Sequence, residues 1–242
     1  MCRLLGIVAN RDLPILDCLT AAPRCLSTLS RQHPDGWGIA LYSDETRAWR
    51  VHRSVARAYE CSEFRSVAAS AHASVVIAHV RQKTVGTTAL ANTHPFSRGP
   101  WVFAHNGTIK RIADLTRLAS PERLAEIEGE TDTERLFAFF LTRLDEAGLG
   151  SAPASDATTR VLARATKELR AFEDFGAWNY LLSDGRVLYA HRFGRTLHML
   201  RREDAVLIAS EALTDEAWMP IEDGTFVRIE RNERPEVDVL AA

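Results

Sequence analysis

Strand-like segments gather at the two ends of this chain, with two well-defined helical segments between them. Apolar or β-branched runs near the start span residues 4–9, 38–42, 48–52, 75–80 and 101–104, and those in the last third span 178–182, 187–191, 197–200, 205–209 and 225–229. Strands clustered before and after helices are typical of a layered α+β fold with antiparallel sheets. A chain of 242 residues, 46% of them hydrophobic, can bury one sizeable core, so a single domain over residues 1–242 is predicted.

The first of the two helices begins near Thr131, where Thr131 and Glu134 have the spacing of a capping box and apolar residues follow on one face. The second begins near Asp156 with the same one-faced pattern. Between them, residues 146–154 are rich in Gly, Ala, Ser and Pro and are predicted to form a surface loop. A further helix is predicted over residues 14–29, inside the first cluster of strands.

Composition and charge exclude several classes of protein. A formal net charge of -2, with 26% charged residues, gives no general attraction to nucleic acid or acidic membranes. No stretch approaches the ~20 apolar residues of a membrane span, and no signal-peptide pattern is present. The cysteines, Cys2, Cys18, Cys25 and Cys61, form no C-x-x-C pair and are too sparse to frame a secreted domain. We therefore expect a cytoplasmic protein with no nucleic-acid or membrane partner.

Cys2 is the first residue that could carry chemistry. Removal of Met1 would make it the N-terminal residue, with a free α-amine whose pKa is about 7.7–8.0. That amine can take the thiol proton, so an N-terminal cysteine carries its own base and needs no histidine partner. The alternative is a small buried cysteine at the start of a strand.

Four further residues fit the hydrolysis of an amide by a thiolate. Asn106 and Gly107 follow the strand 101–104 and offer a side-chain and a backbone N–H to a developing oxyanion, although Asn-Gly is also the commonest hairpin-turn pair. Arg81 follows the strand 75–80, and its planar guanidinium suits a carboxylate; Thr84, in the loop beyond, could complete a pocket wall. A surface salt bridge is the alternative for Arg81.

Other candidates have equally plain alternatives. Asp132 could pair with a substrate ammonium group, or simply favour the helix N-terminus through its charge. Gly36 and Trp37 lie in a glycine-rich turn that either borders a pocket or packs one aromatic ring beneath itself. Three histidines, at 79, 94 and 105, match no zinc-binding spacing, so core or hydrogen-bonding roles are expected and no metal is implied.

The order of these motifs carries more information than any one of them. The chain reads Met-Cys-Arg-Leu-Leu-Gly at 1–6, His-Pro-Asp-Gly-Trp-Gly at 33–38, Ala-His-Val-Arg-Gln-Lys-Thr at 78–84, Asn-Thr-His-Pro-Phe at 92–96, Ala-His-Asn-Gly-Thr-Ile at 104–109 and Gly-Glu-Thr-Asp-Thr-Glu at 129–134. This series resembles the glutaminase domain of class II glutamine amidotransferases, which are N-terminal-nucleophile (Ntn) hydrolases. Residues 179–186 and 208–214 are similar to its stand-alone, YafJ-like branch.

The resemblance implies a four-layer αββα sandwich of two antiparallel sheets. It implies Cys2 as the nucleophile with its own amine as base, and Asn106 and Gly107 as the oxyanion hole. It also implies Arg81 and Asp132 as the groups that hold the α-carboxylate and α-ammonium of glutamine, with Gly36 and Trp37 near the site. Two positions depart from fused members of the family, because Gln82 stands where tryptophan is frequent and Val85 where histidine is frequent.

The function implied is that of a glutamine amidohydrolase, which releases ammonia and glutamate from a small-molecule substrate without a cofactor. An ammonia-accepting synthase is a compatible partner. One alternative keeps the chemistry and changes the substrate to a γ-glutamyl amide of a larger thiol-containing molecule, as in ergothioneine-pathway relatives. The other alternative is a non-catalytic regulatory subunit, which a retained Met1 would favour because the amine would be blocked.

Overall fold

The computed structural model describes residues 2–241, and two antiparallel sheets dominate this part of the chain. The strands are β1 (Arg3–Pro14), β2 (Trp37–Ser43), β3 (Ala48–Ser54), β4 (His72–Val80), β5 (Phe96–Arg98), β6 (Trp101–Ile109), β7 (Gly176–Ser183), β8 (Val187–His191), β9 (His198–Arg201), β10 (Ala205–Ala209), β11 (Met219–Pro220), β12 (Thr225–Glu230) and β13 (Glu236–Ala241). The helices are α1 (Leu26–Leu29), α2 (Ser62–Ser70), α3 (Ile112–Leu118), α4 (Pro121–Ala125), α5 (Asp132–Glu146) and α6 (Asp156–Arg170).

The strand order divides the chain into a first and a second sheet. The first sheet has the order β11-β9-β10-β1-β4-β2-β3, and the second has the order β13-β12-β8-β7-β6-β5. The N-terminal strand β1 is central in the first sheet, where it pairs antiparallel with β4 on one side and β10 on the other. Strands from the first third and from the last third of the sequence therefore meet in one sheet.

Three apolar layers hold these elements together. An outer layer packs Leu26 of α1 and Phe64 of α2 against the first sheet. A second outer layer packs α5 and α6, through residues such as Phe140 and Leu162, against the second sheet. The middle layer lies between the two sheets. The predicted α+β class and the four-layer αββα sandwich are thus confirmed.

Strand β1 shows how the sequence pattern produces these layers. Its side chains alternate, so Leu5 faces the helices while Leu4 and Val8 face the second sheet. Gly6 also faces inward, and a Cβ at this position would lie 2.9 Å from Cδ2 of Leu188 on the second sheet. The glycine therefore allows the two sheets to approach closely at the strand that begins beside Cys2.

One local prediction is wrong, and one alternative is excluded. Residues 14–29 do not form one helix: Pro14 ends β1, and only a π-helical turn at Asp17–Ala21 and the short α1 follow. Pro23 lies between them and cannot donate a main-chain hydrogen bond, which prevents a continuous helix. The Asn106-Gly107 pair does not form a hairpin turn either, because β6 continues to Ile109 and both residues pair with β7.

The two long helices begin where predicted, with one difference in detail. The Thr131 hydroxyl accepts a hydrogen bond from Glu134 N at the start of α5. The Glu134 carboxylate does not complete the predicted capping box, because it accepts instead from Gly129 N at 2.8 Å and Glu128 N at 3.1 Å. The loop before α6 is also as predicted. Within residues 2–241, no helix combines the length and the apolar character needed to cross a membrane.

Candidate active site

The antiparallel pairing of the first sheet brings three predicted site residues to one end of it. Cys2 directly precedes β1, Gly36 directly precedes β2, and Arg81 directly follows β4. Because β1 and β2 both run antiparallel to β4, their first residues pair with Val80, the last residue of β4. Arg81 N also donates to Gly36 O at 2.8 Å, so this corner is fixed by main-chain bonds.

The second sheet and α5 supply the opposite wall. Asp132, in the first turn of α5, accepts a hydrogen bond from Ile109 N of β6 at 2.8 Å through Oδ2. His105 Nδ1 of β6 lies 3.0 Å from the Thr133 hydroxyl. These two contacts hold the start of α5 against the strand that carries Asn106 and Gly107.

A cavity of about 20 Å³ lies between the two walls. Five of the predicted site residues line it, namely Cys2, Arg81, Thr84, Gly107 and Asp132. The remaining lining residues are Gln82, Val85, His94, His105, Thr131 and Thr133. A volume of this size has room for about one water molecule.

The other three predicted residues do not line this cavity. Trp37 is fully buried in the outer layer of the first sheet, where its ring packs edge-on against Phe64 at 5.1 Å between centroids. Gly36 contributes its carbonyl to the Arg81 main chain, as described above. Asn106 Nδ2 donates to Ser210 Oγ at 3.3 Å, while its Oδ1 has no hydrogen-bond partner among the described residues.

The Cys2 thiol is held by the main chain of Gln82. Gln82 N donates to Sγ at 3.3 Å, and Sγ lies 3.3 Å from Gln82 O, the geometry of a thiol donating to a carbonyl. Burial raises the pKa of the Cys2 thiol; the hydrogen bond from Gln82 and the positive charge of Arg81 oppose this shift. Gln82, which departs from the family pattern, thus binds the sulfur through its main-chain N–H and carbonyl, and these contacts do not depend on its side chain.

Arg81 is 3% exposed, and its guanidinium binds the loop that follows it. Nη1 donates to Thr87 O at 3.0 Å, and Nη2 donates to Val85 O at 2.9 Å. Burial lowers the pKa of Arg81, and the nearby Cys2 and Asp35 oppose that shift. Two carbonyl oxygens of the loop therefore use one N–H of each terminal nitrogen, and three of the five N–H donors of the guanidinium are left for other partners.

A second set of hydrogen bonds ties the same loop to the segment before α5. The Glu130 carboxylate accepts from Thr87 N at 2.9 Å and from the Thr87 hydroxyl at 3.0 Å. Asn92 joins both partners, since Nδ2 donates to Thr87 O at 3.0 Å and Oδ1 accepts from Glu130 N at 2.7 Å. The loop that contributes Gln82, Thr84 and Val85 to the cavity wall is thus tied to the start of α5.

Buried histidines surround the site. His94 Nδ1 lies 3.1 Å from His79 Nε2, so one imidazole donates to the other. Burial lowers the pKa of both residues well below the usual range, and it lowers the pKa of His33 to about 4. In the part of the chain that the structure describes, no three His, Cys, Asp or Glu side chains come together in a way that could hold a metal ion.

Several cavity residues were not predicted as site residues. His94 and His105 were considered only as core or metal-binding histidines, and Thr131 only as a helix cap. Each lies within a motif that carries the family resemblance. The motifs therefore point to these segments, but they do not assign a role to these three residues. The contact between Gln82 and Cys2 joins positions 80 residues apart and has no local signal.

Comparison with known proteins places this arrangement in a family. Residues 1–205 match the family model described as "Glutamine amidotransferases class-II". The chain therefore belongs to the class II glutamine amidotransferases. The fold is shared with a class-II domain protein from Silicibacter pomeroyi, with a TM-score of 0.70 at 20% identity over 100% of both chains. A predicted glutamine amidotransferase from Pseudomonas aeruginosa gives a TM-score of 0.67 at 25% identity, also over 100% of both chains.

Sequence relatives confirm the predicted branch of the family. The putative glutamine amidotransferase YafJ of Escherichia coli is 32% identical over 84% of this chain and 76% of its own length. A putative glutamine amidotransferase of Haemophilus influenzae is 28% identical over 97% of this chain and 86% of its own length. The gamma-glutamyl-hercynylcysteine sulfoxide hydrolase of Mycobacterium tuberculosis is 29% identical over 81% of this chain and 75% of its own length.

Proposed function

We propose that this chain is a glutamine amidohydrolase in which Cys2 attacks the side-chain amide of glutamine to release ammonia and glutamate. The observation that carries the proposal is the shared cavity lined by Cys2, Arg81 and Asp132. A thiol, a cation and an anion facing one space suit a substrate with a reactive amide at one end and both charges of an amino acid at the other.

Substrate binding uses the two charged side chains. Arg81 holds the α-carboxylate with both arms of its guanidinium, and Asp132 holds the α-ammonium group. Glutamine analogues that lack either charge should bind poorly, because each loss leaves a buried partner unpaired. Thr84 lines the wall beside Arg81.

The chemical cycle has two halves. The α-amine of a processed Cys2 takes the thiol proton, and the thiolate adds to the amide carbon. The resulting oxyanion is stabilised by N–H groups of Asn106 and Gly107. The amine then returns the proton to the leaving nitrogen, and ammonia departs to leave a thioester. Water, deprotonated by the same amine, adds to the thioester and releases glutamate. Met1, whose removal this cycle requires, lies outside the described residues.

In this proposal, residues 82–91 move when glutamine enters. A space of about 20 Å³ accepts one water molecule and no amino acid. The same movement takes the carbonyls of Val85 and Thr87 away from the Arg81 guanidinium, to which they are bonded here. Because Gln82 lies in the same segment, its displacement also releases the Cys2 sulfur from the main-chain clasp. One movement therefore opens the site, frees the guanidinium and frees the nucleophile.

The decisive experiment is covalent labelling with a glutamine-mimicking diazoketone, followed by peptide mapping. We expect modification of Cys2 with loss of glutaminase activity, and protection by excess glutamine. Cys61 is a free, half-buried cysteine like Cys2 and serves as the internal control that stays unmodified. Intact-mass measurement establishes whether Met1 has been removed. Full glutaminase activity in a Cys2→Ala protein would overturn the proposal.

A second candidate substrate is a γ-glutamyl amide of a larger molecule. It is favoured by the similarity to the mycobacterial hydrolase over 81% of this chain. It uses the same thiol, cation and anion, because a γ-glutamyl group carries the same α-carboxylate and α-ammonium as glutamine. Comparing kcat/KM for glutamine and for a γ-glutamyl anilide separates the two. An ammonia-accepting synthase partner is proposed only for the glutamine-using form.

A further inference from the structure

Ser210 lies immediately after β10, in the motif at 208–214, and is 2% exposed. Its hydroxyl oxygen accepts two hydrogen bonds from different sheets. Leu4 N, on β1 of the first sheet, donates to Oγ at 2.9 Å. Asn106 Nδ2, on β6 of the second sheet, donates to Oγ at 3.3 Å. A hydroxyl has two acceptor lone pairs, so both are used here.

Each of the two donors is linked to a different group of the proposed site, the nucleophile or the oxyanion donor. Leu4 is two residues from the Cys2 thiol, and Asn106 is the proposed side-chain donor to the oxyanion. The amide of Asn106 carries two hydrogens on Nδ2. When Ser210 binds one of them, the amide plane is fixed and the second hydrogen keeps one direction.

We propose that Ser210 is a positioning residue that sets the orientation of the Asn106 amide relative to the strand carrying Cys2. This inference rests on the proposed function and assigns a role to a residue outside the cavity lining. Ser210 acts through Asn106 and does not touch the reacting atoms. Preorganised donors lower the barrier only when they are aimed at the position of the developing charge, so a freely turning amide loses part of its effect.

A purely structural role makes a different prediction, and the structure separates the two. Ser210 N donates to Leu4 O at 3.1 Å, and the Thr196 hydroxyl donates to Ser210 O at 2.9 Å. Both contacts use the main chain of Ser210 and persist when the side chain is truncated. Ser210→Ala therefore removes the link between Leu4 and Asn106 while it leaves the strand pairing in place.

The test compares Ser210→Ala with Ser74→Ala in the full chain. Ser74 is a matched control, because it is also fully buried on the first sheet and its hydroxyl bonds Tyr42 O and Arg231 Nη1 at the opposite end of β4. For glutamine hydrolysis, we expect Ser210→Ala to lower kcat by ~10- to 100-fold, less than deletion of a whole oxyanion donor. KM should stay within about 2-fold, since Arg81 and Asp132 are untouched. Ser74→Ala should leave both constants unchanged.

Two probes distinguish positioning from general damage. The aldehyde analogue of glutamine forms a tetrahedral adduct with a thiol, so its Ki should rise in parallel with the loss of kcat/KM. Alkylation of Cys2 by iodoacetamide forms no oxyanion, so its rate should change by less than about 3-fold in Ser210→Ala. In an Asn106→Ala background, adding Ser210→Ala should have no further effect on kcat.

If Ser210→Ala does not fold, Ser210→Cys provides the same test, because it keeps the side-chain size and replaces a strong acceptor with a weak one. An unchanged kcat and Ki in a folded variant would overturn the inference. An additive effect with Asn106→Ala would do so as well. A wild-type protein that neither hydrolyses glutamine nor binds the aldehyde would instead overturn the proposed function, so the two failures are distinguishable.

Discussion

Replacing Gly107 by alanine should destabilise the folded protein more than an ordinary glycine-to-alanine substitution does. A Cβ at this position would lie 1.8 Å from the carbonyl oxygen of Ala177 and 2.5 Å from its carbonyl carbon. Both atoms belong to the main chain of the paired strand β7, so no side-chain rotation can relieve the contact. Gly107 also has a φ of 157°, in a region that residues with side chains rarely adopt.

Two costs add up in this variant. Holding a side-chain residue in such a conformation costs about 1–3 kcal/mol. Forcing an extra carbon into a packed site costs typically ~1–3 kcal/mol, and contact with rigid backbone favours the upper part of that range. We therefore expect Gly107→Ala to lower the free energy of unfolding by roughly 3–6 kcal/mol.

Gly99 provides the matched control. Its φ is 55°, also positive, but a Cβ there would meet nothing within 4 Å. Gly99→Ala should cost only the backbone term of about 1–2 kcal/mol. Urea denaturation of the two variants, followed by tryptophan fluorescence, measures the difference directly. Equal destabilisation of the two proteins would show that the Ala177 carbonyl is not the obstacle and would refute the reasoning.

Three further outcomes are expected. Arg81→Lys should raise KM for glutamine by about 10- to 100-fold with a smaller change in kcat, because an ammonium cannot hold a carboxylate with two parallel bonds; steady-state kinetics with an unchanged KM would contradict this. Glu130→Gln weakens the acceptor for Thr87, so limited proteolysis within residues 82–91 should become faster while the melting temperature stays the same. Equal cleavage rates in the variant and the wild type would show that the Glu130–Thr87 hydrogen bonds do not hold this loop. Burial lowers the pKa of His191 to about 4, so between about pH 6.5 and pH 4 the unfolded chain binds a proton that the folded chain does not. The free energy of unfolding should fall as the pH is lowered through that window, by about 3 kcal/mol from this residue, and His191→Gln should show a shallower fall in urea titrations at pH 7 and pH 4.

Much of the fold could be predicted because the strands have simple local signals. The alternation and β-branched runs that define β4, β8 and β10 are visible in the sequence, and so is the N-terminal cap of α5. The helix predicted over residues 14–29 is wrong because Pro14 and Pro23 interrupt a segment whose apolar content alone favours a helix. Short elements such as β5 and β11 carry too few residues for a periodic pattern.

The site could be predicted only in part, for a physical reason. Cys2, Arg81 and Asp132 each adjoin a predicted strand or helix end, and antiparallel pairing brings such ends together. The Asn106-Gly107 pair was ambiguous because its turn propensity is local, whereas pairing with β7 depends on residues about 70 positions later in the chain. The place of Trp37 in the outer core likewise follows from α2, a helix that the sequence pattern did not reveal.

The close approach of the two sheets at Gly6 has a consequence for how the proposed site is assembled during folding. The proposed nucleophile stands on one sheet, and its proposed oxyanion donors and ammonium ligand stand on the other sheet and on the helix packed beside it. Neither half alone contains a competent set of groups. The proposed site is therefore a property of the docked pair, and a chain with only one sheet assembled lacks the complete set of groups.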